Sequence, residues 1–120
     1  MTRSVLVVDD DADIREVMQL MLERHGYEVK VAADGVEALE RLHEGEPPSV
    51  ILLDLMMPGM NGLEFRAAQL RDPSISEVPV VALTGANNVA THAKASGLEV
   101  MRKPVPIGEL LAAMDRHVVH

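Results

Sequence analysis

The 120-residue chain has no cysteine, so disulfides and thiolate metal sites are excluded. Tryptophan is missing as well, and Tyr27 and Phe65 are the only aromatic residues. A core built from this composition has to be aliphatic and methionine-rich, and there is no platform for stacking bases or sugars. Cations are also scarce, with 11 Lys and Arg against 19 Asp and Glu, for a net charge of −8. Without a basic stripe, direct nucleic-acid binding is not expected, because that binding is driven by Lys and Arg on phosphates. No uninterrupted apolar run approaches the ~18 residues of a membrane span. The N-terminus is unlike a signal peptide: its short VLVV run meets three aspartates at once. These absences predict a soluble cytoplasmic protein with no membrane insertion.

What is present points to one folded domain over residues 1–120. Apolar residues make up 48% of the chain, and the length suits a single layered core. Short apolar runs alternate with amphipathic segments. Residues 4–8, 27–31, 50–53, 78–83 and 100–101 read as strands, being short and rich in β-branched residues. A helix after DDDAD carries Ile14, Val17, Met18 and Met21 on one face, can be capped by Asp11 or Asp13, and stops near Gly26. Asp34 with Glu37 opens a second helix through Val36, Leu39 and Leu42. Shorter helices are expected over 63–70 and 88–96, with Gly97 as a stop. The last runs over 107–117, with Ile107, Leu110, Leu111 and Met114 on one face and Pro106 suiting its start. Five strand–helix repeats without a linker imply an α/β fold, a parallel sheet covered by helices on both faces.

In such sheets ligands sit beyond the carboxyl ends of the strands. Asp9 and Asp10 follow the first strand, Asp54 ends the third, Thr84 the fourth, and Lys103 follows the fifth. Each alone has an ordinary reading as a helix cap, a turn residue or a loop cation. Together they form one edge. Two carboxylates ~4 Å apart repel by about 4 kcal/mol at an effective dielectric near 20, so several at one edge call for a cation. An all-oxygen set without histidine or cysteine favours Mg²⁺. The five histidines show no metal-ligand spacing and are expected on solvated faces. Most methionines read as core filler, with Met56, Met57 and Met60 as candidates for an exposed, adaptable surface. Asp54, at the mouth of a buried apolar strand, suits a carboxylate nucleophile accepting a phosphoryl group, with Lys103 and Thr84 beside it.

The segments VLVVDDDADIREVM, ILLDLMMPGMNGLE, VVALTG and MRKPV resemble, in order and over essentially the whole chain, the signature regions of the receiver domains of two-component response regulators. The resemblance implies a flavodoxin-like, doubly wound (βα)5 fold with strand order 2-1-3-4-5. It implies that Asp54 is the phosphoacceptor, served by a sensor histidine kinase or a histidine phosphotransfer protein. Mg²⁺, with Mn²⁺ as a substitute, would be held by Asp10, Asp54 and the Met56 carbonyl, with Asp9 acting from behind them. A cis Lys103–Pro104 peptide is implied too. The protein would then be a stand-alone signalling switch of a phosphorelay rather than an enzyme with an external substrate. It would catalyse only its own phosphorylation and dephosphorylation, and its output would be contact with a downstream protein target.

Two other readings remain open at this point. One is a small phosphatase or phosphotransferase with an aspartyl-phosphate intermediate, whose nucleophile would follow the first strand; Asp9-Asp10-Asp11 partly imitates it. The other is an interaction module independent of phosphorylation. The chain also departs from the family pattern. Val100 stands where an aromatic residue is usual, and Thr84 and Lys103 are only 19 positions apart, which predicts a shortened fourth helix. Met56 and Ala86 occupy the positions that flank the path of water in the family. Neither side chain can orient a water by hydrogen bonding, so a slowly hydrolysed phospho-Asp54 is expected.

Overall fold

A computed structural model describes residues 3–57, 60–95 and 97–118. Ten elements alternate along the chain: β1 (Arg3–Val8), α1 (Ala12–Arg24), β2 (Tyr27–Ala32), α2 (Gly35–Leu42), β3 (Val50–Asp54), α3 (Gly62–Leu70), β4 (Val80–Thr84), α4 (Asn87–Ala95), β5 (Glu99–Arg102) and α5 (Ile107–Asp115). All five strands are parallel and lie in the order β2-β1-β3-β4-β5, as expected. The chain therefore reverses its direction of travel across the sheet at β1 and β3. Both central apolar runs, β3 and β4, are buried along their whole length. That burial explains why they read as continuous hydrophobic stretches rather than alternating ones.

Side chains still alternate between two cores, since successive residues of a strand point to opposite faces. Leu6, Val8, Ile51, Leu53, Val80 and Ala82 pack with α2, α3 and α4 around Phe65, which is fully buried. Val5, Val7, Val50, Leu52, Val81 and Leu83 pack with Leu22 of α1 and Leu110 and Met114 of α5. The helix starts follow the expected chemistry. The Asp11 carboxylate accepts from the Asp13 and Ile14 amides, Asp34 accepts from the Glu37 amide, and Asn61 forms a reciprocal capping box with Glu64. Gly26 and Gly97, each at φ 90°, turn the chain out of α1 and α4, a conformation that side-chain-bearing residues rarely adopt.

Several expectations need correction. In α1 the apolar stripe does not all face inward: Ile14 and Val17 are 39% and 53% exposed, and Leu22 is the fully buried residue. The helix is rolled so that Leu22 enters the core while the Arg15 guanidinium donates to the Asp9 carbonyl at 2.7 Å, and Ile14 and Val17 are left lining an open groove beside Lys103. Met57 is buried and Met60 packs against the core, so among these three methionines only Met56, 56% exposed, offers a free surface. β4 begins at Val80 rather than two residues earlier, because the Val78 amide is committed to a turn through the Ile75 carbonyl. α4 begins at Asn87, one residue earlier than expected, and with nine residues is as short as expected. Of the described histidines, His25, His43 and His92 are exposed as expected, while His117 is half-buried. His43 and His117 place Nε2 2.7 Å from Asp72 and Glu99 respectively. The bond to Asp72 raises the pKa of His43 above its ordinary value. The expected helix end at Ser96, the Pro58-Gly59 part of the β3–α3 loop, and His120 lie outside the described residues. Among the described residues no helix is long and apolar enough to cross a membrane.

Candidate functional site

Because every strand is parallel, all five end on the same side of the sheet, and residues far apart in sequence arrive at one rim. β1 and β3 are adjacent, with Val8 opposite Leu53. The residues that follow each therefore emerge side by side. Asp9, Asp10 and Asp54 each offer a carboxylate oxygen, and these atoms lie within 4.8 Å of one another. Asp9 and Asp54 are buried, while Asp10 is exposed. Lys103 reaches in from the end of β5, its Nζ 3.5 Å from Asp9 Oδ2 and 3.6 Å from Asp54 Oδ2. The Lys103–Pro104 peptide is cis. Thr84, 1% exposed, ends β4 and accepts the Lys103 amide at its carbonyl, 3.0 Å away.

Backbone donors fix the carboxylates. The Met56 amide donates to Asp54 Oδ1 at 3.0 Å, and the Asp11 amide donates to Asp9 Oδ1 at 2.9 Å. The Thr84 hydroxyl accepts from the Ala86 amide at 3.2 Å. Close packing holds the Asp54 loop in place: a β-carbon on Gly62 would lie 2.7 Å from the Leu55 Cα and 2.8 Å from the Asp54 carbonyl oxygen. No larger residue fits there without displacing the backbone that carries Asp54.

Burial is the largest influence on Asp54 and pushes its carboxyl pKa up. The Met56 amide and Lys103 pull it down, and the Asp9 and Asp10 charges push it up again. Three carboxylates facing one ammonium leave a site short of positive charge. An all-oxygen donor set of this kind fits a hard divalent ion such as Mg²⁺, which keeps waters and takes one or two carboxylates. The residues present therefore suit the ion expected from the sequence.

The expected residues thus meet, with Asp9, Asp10, Asp54 and Lys103 in one cluster and Thr84 at its edge. Met56 adjoins the cluster through its amide. Val100 is part-buried and packs inward against the core on the α2–α3–α4 face. Other contributors had no signal in the sequence. Arg15 braces the Asp9 carbonyl. Arg102 reaches the loop after β4, donating to the Asn87 side chain and to the Gly85 carbonyl. Beside the cluster an open, mainly apolar groove of about 600 Å³ runs past Ile14, Val17, Met18, Lys103, Pro104 and Val105.

Comparison with known proteins agrees with this geometry. The family model described as the response regulator receiver domain matches residues 5–115. A relative named response regulator MprA, from Mycobacterium sp. (strain KMS), is 39% identical over 115 residues, covering 92% of this chain and 48% of that protein. The chain spans about half the length of the curated relatives it matches. Among solved structures, the chemotaxis protein CheY4 of Vibrio cholerae superposes with a TM-score of 0.86 at 33% identity, covering 98% of this chain and all of that one. A putative response regulator from Chloroflexus aurantiacus gives a TM-score of 0.87 at 28% identity, covering 98% of both chains.

Proposed function

This chain belongs to the response regulator receiver domain family, and from that premise we propose that Asp54 accepts a phosphoryl group from a phosphohistidine on a sensor histidine kinase or histidine phosphotransfer protein. An Asp54 oxygen attacks phosphorus in line; the new O–P bond forms as the P–N bond breaks, and the departing imidazole takes up a proton. Lys103 neutralises charge on the phosphoryl oxygens, and Thr84 turns its hydroxyl toward one of them. Asp10, Asp54 and the Met56 carbonyl would hold Mg²⁺, with Asp9 supporting them from behind. When bound, the ion supplies positive charge to the transferring phosphoryl oxygens. The observation that carries the reading is the convergence of the Asp9, Asp10 and Asp54 oxygens within 4.8 Å, with Lys103 3.6 Å from Asp54.

The donor and the target are proteins in this reading. Ile14 and Val17 leave apolar area exposed next to Lys103, which suits a protein surface better than a small phosphomonoester. The acidic balance of the domain, −8 overall, argues against nucleic acid as its direct contact. The domain works in the cytoplasm, where a phosphohistidine donor and Mg²⁺ are at hand. Phosphorylation shifts a two-state equilibrium in the loop after β4 and in the neighbouring α4 face, changing affinity for a partner.

Intact mass analysis after incubation with Mg²⁺ and acetyl phosphate tests the proposal. Wild type should gain the mass of one phosphoryl group, and Asp54→Asn none. Equal labelling of the two proteins, or no labelling of wild type by any donor, would overturn it. Continuous turnover of small phosphomonoesters would instead favour the phosphatase reading.

A further inference from the structure

Arg102 is the last residue of β5 and lies opposite Thr84 in the parallel ladder. Its neighbour Lys103 points into the acid cluster, whereas Arg102 itself turns to the loop between β4 and α4. There its guanidinium donates to the Gly85 carbonyl at 3.3 Å and to Asn87 Oδ1. These two acceptors flank Ala86, whose amide donates to the Thr84 hydroxyl. The other described ties of this segment are local: the Ala90 amide donates to the Ala86 carbonyl, the Thr91 hydroxyl to the Asn87 carbonyl, and Val89 packs against the core. Gly85 and Asn87 are exposed, α4 has no acidic residue in its first turn, and among its described side chains only Ala90 and Ala93 are buried. The Thr84 hydroxyl accepts from the Ala86 amide and keeps its own O–H free to donate to a phosphoryl group on Asp54. The position of that amide therefore helps set where the hydroxyl sits, and the residues on both sides of it are gripped by one rigid fork.

We propose that Arg102 is a positioning residue that clamps the β4–α4 loop through Gly85 and Asn87, and so sets how readily the Thr84 hydroxyl, carried with the Ala86 amide, shifts toward the phosphoryl group. Arg102 lies two residues along β5 from Val100, which packs against the core and leaves the loop to the arginine. The proposal rests on Asp54 being the phosphoacceptor. It assigns Arg102 no contact with the phosphoryl group.

Beryllofluoride, a stable phosphoryl mimic, provides the probe, titrated into the full chain with saturating Mg²⁺ and followed by fluorine NMR. Arg102→Ala should bind it more tightly than wild type, roughly fivefold, the factor that one exposed hydrogen bond carries. Mg²⁺ affinity without the mimic should not change. Arg102→Lys, whose ammonium cannot fork to both acceptors, should fall between the two. Asn87→Ala removes one acceptor without touching the arginine and should shift binding in the same direction. On a Thr84→Ala background, Arg102→Ala should have no effect, an outcome that a merely structural arginine would not give. Equal mimic affinity for wild type, Arg102→Ala and Asn87→Ala would overturn the proposal, as would an Arg102 effect that persists without Thr84. A wild type that binds neither mimic nor acetyl-phosphate label would instead overturn the Asp54 reading and take the clamp with it.

Discussion

The two sides of the strand-end rim are built differently. On the β1–β3 side, the carboxylates of Asp9 and Asp54 are buried, tied to backbone amides and seated on a core that includes the fully buried Phe65. On the β4–β5 side, α4 buries two alanines, and its start is tethered by the exposed side chain of Arg102. Ionised groups that must hold a cation need fixed positions, because electrostatic work falls off when charges can drift apart. A segment that must move needs the opposite, few buried contacts and exposed hydrogen bonds. The molecule thus sets a firmly packed rim, including the fully buried β4, against a lightly packed loop and α4 start that can respond.

The largest expected break in this contrast comes from the cores. Phe65→Ala should cost about 3–5 kcal/mol through a cavity under α3. Val89→Ala, at a part-buried position on α4, should cost about 1 kcal/mol or less. Urea unfolding monitored by circular dichroism would compare them; similar losses would erase the distinction between the two regions. The second test concerns charge. With Mg²⁺ absent, Asp54→Asn should be at least as stable as wild type, since it removes one of three carboxylates that face a single ammonium and relieves a carboxyl whose burial disfavours its charge. Mg²⁺ should raise the melting temperature of wild type and close any gap. A destabilised Asp54→Asn protein would show that the carboxylate is structural.

The smallest effect compares one position from each side. Met56 lies on the β3 side of Asp54 and Ala86 on the β4 side, and neither orients water. Met56→Asn and Ala86→Glu should each shorten the lifetime of phospho-Asp54 roughly five- to tenfold, the factor carried by a hydrogen bond of about 1 kcal/mol. Decay of the labelled protein, followed by mass, reads it directly. An effect at Met56 alone would mean that water reaches phosphorus only from the β3 side.

Most of the architecture was legible because strand and helix periods are local. The buried run that ends in Asp54, the caps at Asp11 and Asp34, and the stop at Gly26 all depend on residues within a few positions of one another. The rim residues were legible for a related reason: once five parallel strands are read, Asp9, Asp10, Asp54, Thr84 and Lys103 have to emerge on the same side. Gln69 shows where such reading stops. It is fully buried in α3, donates to the Ile75 and Val78 carbonyls at 2.9 and 3.0 Å, and accepts from Arg66. A glutamine near the end of an amphipathic helix gives no sign of that role, because its partners belong to a turn whose path is set by the sheet below it.

The amino-acid order by itself determined the kinds of elements, their succession and the list of groups able to do chemistry, since these follow from near-neighbour patterns of apolarity, capping and turn residues. Tertiary structure alone decided that Ile14 and Val17 face outward, that Met57 is covered and Met56 is not, and that Arg102 grips the loop beside Thr84. Each of these depends on which surface lies opposite, and contact between distant segments is settled only when the layers pack and one face of each element has been chosen over another.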